Sequence, residues 1–182
     1  VEEAAAAGLT EIVMVTGRNK RALEDHFDRA AELEDMLEKK GSLDLLAAVR
    51  ESTDMAHMHY VRQTNPRGLG DAVLTASAFV GDEPFAVLLG DDLIDPRDPI
   101  LPTMVAVHEH FGGSVLALME VPLSEISLYG AAAIAPIETI SKFDNVVRIT
   151  GVVEKPAAEN APSNFAVIGR YLLTPEIFEV LK

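Results

Sequence analysis

The stretch FAVLLGDDLID, residues 85–95, constrains this chain most: five consecutive apolar residues run into a glycine and two adjacent acids, Asp91 and Asp92. An apolar run without polar alternation reads as a strand covered on both faces. Its apolar character stops where charge begins, and desolvating a lone carboxylate is expensive. The acids either turn outward into a loop or face something positive. The pair alone does not choose between these.

The same rhythm extends along the chain. EIVMVT (11–16), HMHYVRQ (57–63), SVLALMEV (114–121) and GAAAIAPI (130–137) read as strands. Between them lie helical spacings over 1–7, about 20–40, 42–52, 71–80 and 99–111. The first closes at Gly8, and the second puts Leu23, Phe27, Ala30, Ala31, Leu33 and Leu37 on one side. The third opens on Ser42 as a cap. Alternating strands and helices, with strands apolar throughout, predict an α/β fold with a mostly parallel sheet covered on both faces. Ligands bind such sheets beyond the carboxyl ends of the strands, where Asp91 and Asp92 lie. From 130 to 171, short strands broken by YG, KFDN and KPAAENAPSN predict a mixed-sheet region.

Composition narrows the function. The chain has 182 residues, 48% of them hydrophobic, enough for one substantial core. No apolar run approaches the roughly 20 residues of a membrane span, so no membrane partner is expected. There is no cysteine, which excludes disulfides and thiolate metal sites. A net charge of −14 argues against nucleic acid, which needs a basic face. A cytoplasmic location is the expectation. The chain opens without Met and closes in TPEIFEVLK, both inside apparent helices, so a piece of a longer protein is expected. The histidines at 26, 57, 59, 108 and 110 lack metal spacing and read as surface or packing residues.

Four constellations could carry chemistry. In VRQTNPRGLGDAV, Gly68 and Gly70 let the backbone approach a flat or anionic group, and Gln63 offers a paired donor and acceptor to a base edge. The bland alternative is a turn with a helix cap. In GDD, a carboxylate past a buried strand suits Mg2+ held against phosphate oxygens, or merely caps a turn. In VVEKPAAENAPSN, Glu154 and Lys155 point to opposite faces if both lie on a strand, and Pro156 favours an extended residue before it. A Glu there can accept sugar hydroxyls and a Lys can reach a phosphate, though a solvated ion pair looks the same. In SLYG, Gly130 opens a strand.

In their order, VTGRNK, a long helix, VRQTNPRGLGDAV, LLGDDL, LYG, VVEKP and APSNFAVIGRYLL resemble the bacterial UTP–glucose-1-phosphate uridylyltransferases over essentially the whole chain. The resemblance implies a Rossmann-like three-layer α/β/α nucleotidyltransferase fold with a mostly parallel mixed sheet. It implies one domain over 1–182, with a nucleotide part near 1–95 and a sugar part near 96–182. The implied reaction uses Mg2+ to join glucose 1-phosphate to UTP, giving UDP-glucose and pyrophosphate, in a homodimer or homotetramer. Asp91 is then the metal ligand, and Asp91 and Lys155 are catalytic. Gln63 and Gly68 contact the base, and Asp92, Gly130, Glu154, Lys155 and Val167 contact substrate. Another sugar-1-phosphate nucleotidyltransferase, such as a thymidylyltransferase, and a non-catalytic sugar-nucleotide-binding module are the alternatives.

Three departures qualify the resemblance. The family's loop of the form GxGTRxLPxTKxxPKEML, which grips the triphosphate, is not in this sequence, nor is its C-terminal segment with a second metal-binding Asp. GLGDAV carries Asp71 where GLGHAV is usual. An acid there suits the helix dipole but would repel a phosphate.

Overall fold

In the computed structural model, which describes residues 1–137, 143 and 145–182, strand β1 (Glu11–Thr16) pairs in parallel with β2 (His57–Arg62). Parallel neighbours cannot be joined by a hairpin and need a crossover. Three helices supply it: α2 (Arg21–Phe27), α3 (Ala31–Lys39) and α4 (Leu43–Asp54). With α1 (Glu2–Ala6), α5 (Leu69–Thr75), α6 (Ser77–Val80) and the C-terminal helix α8 (Ile177–Leu181), these form one compact unit, Val1–Glu83 plus Pro175–Lys182.

The helix expected over 20–40 is two helices. Asp28 is extended (φ −81°, ψ 152°) and ends α2. The break lets Arg29 turn back onto Glu34, which is only 2% exposed and also accepts from Arg50 Nε on α4 at 2.8 Å. The apolar spacing continues in phase across the break, so periodicity alone does not reveal it. Of that expected face Leu37 is buried, whereas Leu23 and Leu33 are exposed. Ser42 stands at the N-cap of α4 without a side-chain cap bond.

The second unit, Pro84–Thr174, is organised by β7 (Phe165–Leu173). It pairs with β3 (Phe85–Leu88), β4 (Val115–Glu120) and β5 (Gly130–Ala135), and β5 pairs with β6 (Arg148–Glu154). Ala166 is opposite both Met119 and Ala131, and Leu172 is opposite both Val115 and Ala86. Strands β3 and β5 therefore share the edge of β7 that faces away from β4. Helix α7 (Leu101–Phe111) connects β3 to β4 and buries Leu101, Met104 and Val107. Val121, Ile126, Ala131 and Ala166 form a tight core, and the small side chains of Ala131 and Ala166 let β5 and β7 lie against it.

The α/β class stands, but the expectation of mainly parallel pairing is corrected. Among the described residues β1–β2 is parallel and every pairing in the second sheet is antiparallel. Both β3 and β4 are antiparallel to β7, so they run in one direction, as a strand–helix–strand unit requires. The rhythm of the sequence carries that direction. It does not say that β7, from much later in the chain, inserts between them. In the KFDN break, Lys142 and Asp144 lie outside the described residues.

Candidate functional site

The end of β3 is built by the chain that lies beside it. Leu89 N donates to Gly169 O at 2.9 Å, and Gly169 N donates to Asp92 Oδ2 at 2.5 Å. Arg170, 4% exposed, donates from its guanidinium to the carbonyls of Leu89 (3.2 Å), Gly169 (2.9 Å) and Asp92 (2.8 Å). The residues on either side of Gly90 and Asp91 are thus held by main-chain and side-chain bonds. Asp92 is used structurally. Asp91 is exposed, and its carboxylate has no hydrogen-bond or ion-pair partner among the described residues. Among those residues no group of three or more His, Cys, Asp or Glu could hold a metal by itself. A single free carboxylate fits a hard cation completed by water and phosphate oxygens, the manner in which Mg2+ is usually held.

Three further expected residues lie side by side in the sheet. Gly130 is opposite Glu154 on β6 and opposite Val167 on β7. Residues in one cross-strand row share a face, with neighbouring Cβ positions about 5 Å apart. A Cβ on Gly130 would stand 3.3 Å from Glu154 Oε2 and 3.9 Å from Val167 Cβ, so glycine leaves the space beside the carboxylate open. Val167 lies two residues before Gly169, which binds Asp92. The turn after β3 and this row therefore share one strand. Tyr171, on the same strand, is held above the usual phenol range by burial first, then by the negative charges of Asp92 and Glu154.

Lys155 departs from the expected geometry. Strand β6 ends at Glu154, and Lys155 has φ +44°, not the extended conformation expected before Pro156. Its amide donates to Tyr129 O at 3.0 Å. Lys155 Nζ comes to 3.8 Å from Glu154 Oε1, so the two side chains approach each other and do not diverge. A left-handed, non-glycine residue before proline costs of order 1–3 kcal/mol, and such strain is concentrated at functional positions.

In the first unit Gln63 and Gly68 are brought together. Gln63 Nε2 donates to Gly68 O at 3.3 Å and to Asp71 Oδ2 at 2.6 Å. Gly68 has φ +106° and ψ −174°, a conformation open only to glycine, while a Cβ there would meet nothing within 4 Å. Backbone conformation, not crowding, selects the glycine. Arg67 donates to Asp71 Oδ1 from Nε (2.9 Å) and Nη2 (2.5 Å). These bonds, Gln63 first and then Arg67, hold the Asp71 carboxyl below its usual range. The expected repulsion between Asp71 and a phosphate is thereby weakened, because Arg67 balances its charge. Elsewhere on this unit, two open recesses on the helical crossover involve Gly41–Leu45 and Glu32, Asp35, Met36, Lys39 and Lys40. Neither contains an expected site residue.

The sequence profile of nucleotidyl transferases matches residues 1–182. The chain belongs to the nucleotidyl transferase family. This nucleotidyl transferase is 52% identical over 186 residues to a UTP–glucose-1-phosphate uridylyltransferase of Streptococcus pneumoniae serotype 4, with all of the chain and 60% of the relative covered. It is similar to a UDP-glucose pyrophosphorylase solved with UDP-glucose (43% identity, TM-score 0.82, covering 99% of this chain and 64% of that one). It is also similar to a UTP-bound UGPase of Acinetobacter baumannii (35% identity, TM-score 0.85, covering 98% and 62%). The chain spans about 60% of the length of the S. pneumoniae relative. Among its described residues no helix is long and apolar enough to cross a membrane.

Sequence reasoning missed the residues that support this nucleotidyl transferase's candidate site. Gly169, Arg170 and Tyr171 sit in a stretch, FAVIGRYLL, that looks like an ordinary buried strand. The one available signal was an arginine in the middle of an apolar strand, since a buried arginine must find acceptors. The bonds of Glu11 to His57 Nδ1 (2.6 Å) and of His108 Nδ1 to Gly113 O (2.6 Å) agree with structural roles for these histidines.

Proposed function

We propose that this nucleotidyl transferase serves the transfer of a uridylyl group from UTP to glucose 1-phosphate, giving UDP-glucose and pyrophosphate. The observation that carries the reading is the row Gly130–Glu154–Val167 beside the Asp91–Asp92 turn. A carboxylate next to an open glycine position suits a polyhydroxylated ring, and the free carboxylate of Asp91, in the turn that Gly169 holds through Asp92 two residues along β7 from Val167, suits the cation that accompanies a phosphate. The names of the similar proteins support the same substrates.

In this reading a phosphate oxygen of glucose 1-phosphate attacks the α-phosphorus of UTP, the bond to the β-phosphate breaks, and pyrophosphate leaves. Phosphoryl-type transfer requires mainly in-line positioning and charge stabilisation. Asp91 would hold Mg2+, which when bound neutralises charge on the phosphate oxygens. Glu154 accepts hydrogen bonds from sugar hydroxyls, and Gly130 and Val167 bound the space for the ring. Lys155 stabilises charge on the phosphate bridge. Gln63 meets the uracil edge, with Gly68 close beneath it.

The test is to incubate the full-length protein with UTP, glucose 1-phosphate and Mg2+ and to quantify UDP-glucose and pyrophosphate. Equal amounts of both products are expected, with none after chelation by EDTA. No UDP-glucose at millimolar substrates would overturn the reading.

A further inference from the structure

The sequence presents Gln63 as a paired donor and acceptor, but the fold leaves it only one of these. Its side-chain nitrogen faces the Asp71 carboxylate at 2.6 Å and the Gly68 carbonyl at 3.3 Å. Both neighbours can only accept, so the amide must turn its NH2 toward them. Both N–H donors are thereby committed, and Oε1 has no partner among the described residues. Asp71 cannot swing away easily. Its side chain is 15% exposed, its other oxygen is gripped by Arg67, and it stands on the first turn of α5.

We propose that Asp71 determines base selectivity by locking the Gln63 amide with Oε1 outward as a lone acceptor. The inference rests on the uridylyl reading, in which Gln63 meets the base, and adds to it the rule by which the base is chosen. The uracil ring presents N3–H as a donor to such an acceptor. Cytosine presents an unprotonated N3, which would meet Oε1 lone pair to lone pair. Rotating the amide to suit cytosine would turn Oε1 onto the Asp71 carboxylate and the Gly68 carbonyl, leaving both without their donor. Thymine keeps N3–H, so the lock separates uridine and thymidine nucleotides from cytidine nucleotides but not from each other.

The test compares UTP with CTP in the full-length enzyme. In Asp71→Asn, Arg67 still claims Oδ1, so the new Nδ2 faces Gln63 and favours the reversed amide. The ratio of kcat/KM for CTP to that for UTP is expected to rise by about tenfold or more, the scale of one mismatched buried hydrogen bond. KM for glucose 1-phosphate is expected to be unchanged. Asp71→Ala removes the lock without reversing it and should raise the ratio less. Arg67→Gln keeps the Gln63–Asp71 bond but loosens the grip on Asp71, so it should raise the ratio less than Asp71→Asn does. A gain in CTP use is something that simple loss of structure would not produce. An unchanged ratio in Asp71→Asn, while Gln63→Ala weakens UTP binding, would overturn the lock and leave the uridylyl reading standing. Unchanged UTP affinity in Gln63→Ala would remove Gln63 from the base site, and the inference with it.

Discussion

The Gly169 amide donates to Asp92 Oδ2 at 2.5 Å across 77 residues of chain. This bond, with the Arg170 guanidinium on the carbonyls of Leu89 and Asp92, ties the turn after β3 to the middle of β7. A Cβ on Gly169 would lie 2.6 Å from Asp92 Oδ2, 2.8 Å from Leu89 Cβ and 2.9 Å from Asp92 Cβ. Two of these atoms are themselves Cβ atoms and cannot rotate out of the way. Gly169→Ala is therefore expected to destabilise by about 1–3 kcal/mol through overpacking, read as a lower urea midpoint at constant slope. An unchanged midpoint would mean that the turn has slack.

The two adjacent acids should separate by experiment. Asp91→Asn is expected to abolish Mg2+-dependent turnover with an unchanged melting temperature, because the Asp91 side chain is exposed and has no hydrogen-bond or ion-pair partner among the described residues. Asp92→Ala leaves the Gly169 amide without its acceptor and should cost about 1–3 kcal/mol of stability. Near-normal turnover in Asp91→Asn at ordinary Mg2+ would remove it as the metal ligand.

Glu154 and Lys155 should separate into KM and kcat. Glu154→Gln is expected mainly to raise KM for glucose 1-phosphate, since a hydroxyl contact is made equally in ground and transition states. Lys155→Ala is expected mainly to lower kcat, since charge on the phosphate bridge grows during transfer. The opposite split would exchange their roles.

The strained backbone at Lys155 gives a second measurement on the same residue. At φ +44° glycine is the unstrained choice, so Lys155→Gly should raise stability by up to about 1 kcal/mol while still lowering kcat. A marked loss of stability in denaturant would show that the lysine side chain is needed for packing.

Glu34 governs the acid response of the helical crossover. Arg29 and then Arg50 lower its carboxyl from 4.5 to about 2 in the folded chain. A lowered folded value means that the contribution to stability is fully present above pH 4.5 and is lost as pH falls from there toward about 2. Wild type should therefore exceed Glu34→Gln in urea midpoint at pH 7, and the gap should narrow as pH falls below 4.5 and close near pH 2. A gap that persisted at low pH would mean that packing, not charge, holds Glu34.

Much of this was legible in short stretches of sequence. Hydrophobic run length and Gly or Pro punctuation act within about ten residues, so β3, β4, α7 and the loop at Gly68 could be read directly. The break at Asp28 could not, because the apolar spacing of α2 continues in phase into α3, and the bond from Arg29 to a buried Glu34 that accompanies the break leaves no local pattern. Lys155 was misjudged for a similar reason. The extended bias before Pro156 is a local preference, which the Tyr129 carbonyl, accepting from the Lys155 amide, overrides.

The sequence by itself determined the α/β class, the strand that delivers Asp91, and the residue types from which a site is made, because these depend on neighbours along the chain. Only the tertiary structure decided that β7 lies antiparallel between β3 and β4, that Gly130, Glu154 and Val167 form one row, and that Asp71 and the Gly68 carbonyl take the donors of Gln63. Strand register and side-chain pairing are set by the packing of segments far apart in sequence. A local pattern records what a segment can become, and the packing selects which neighbour it meets.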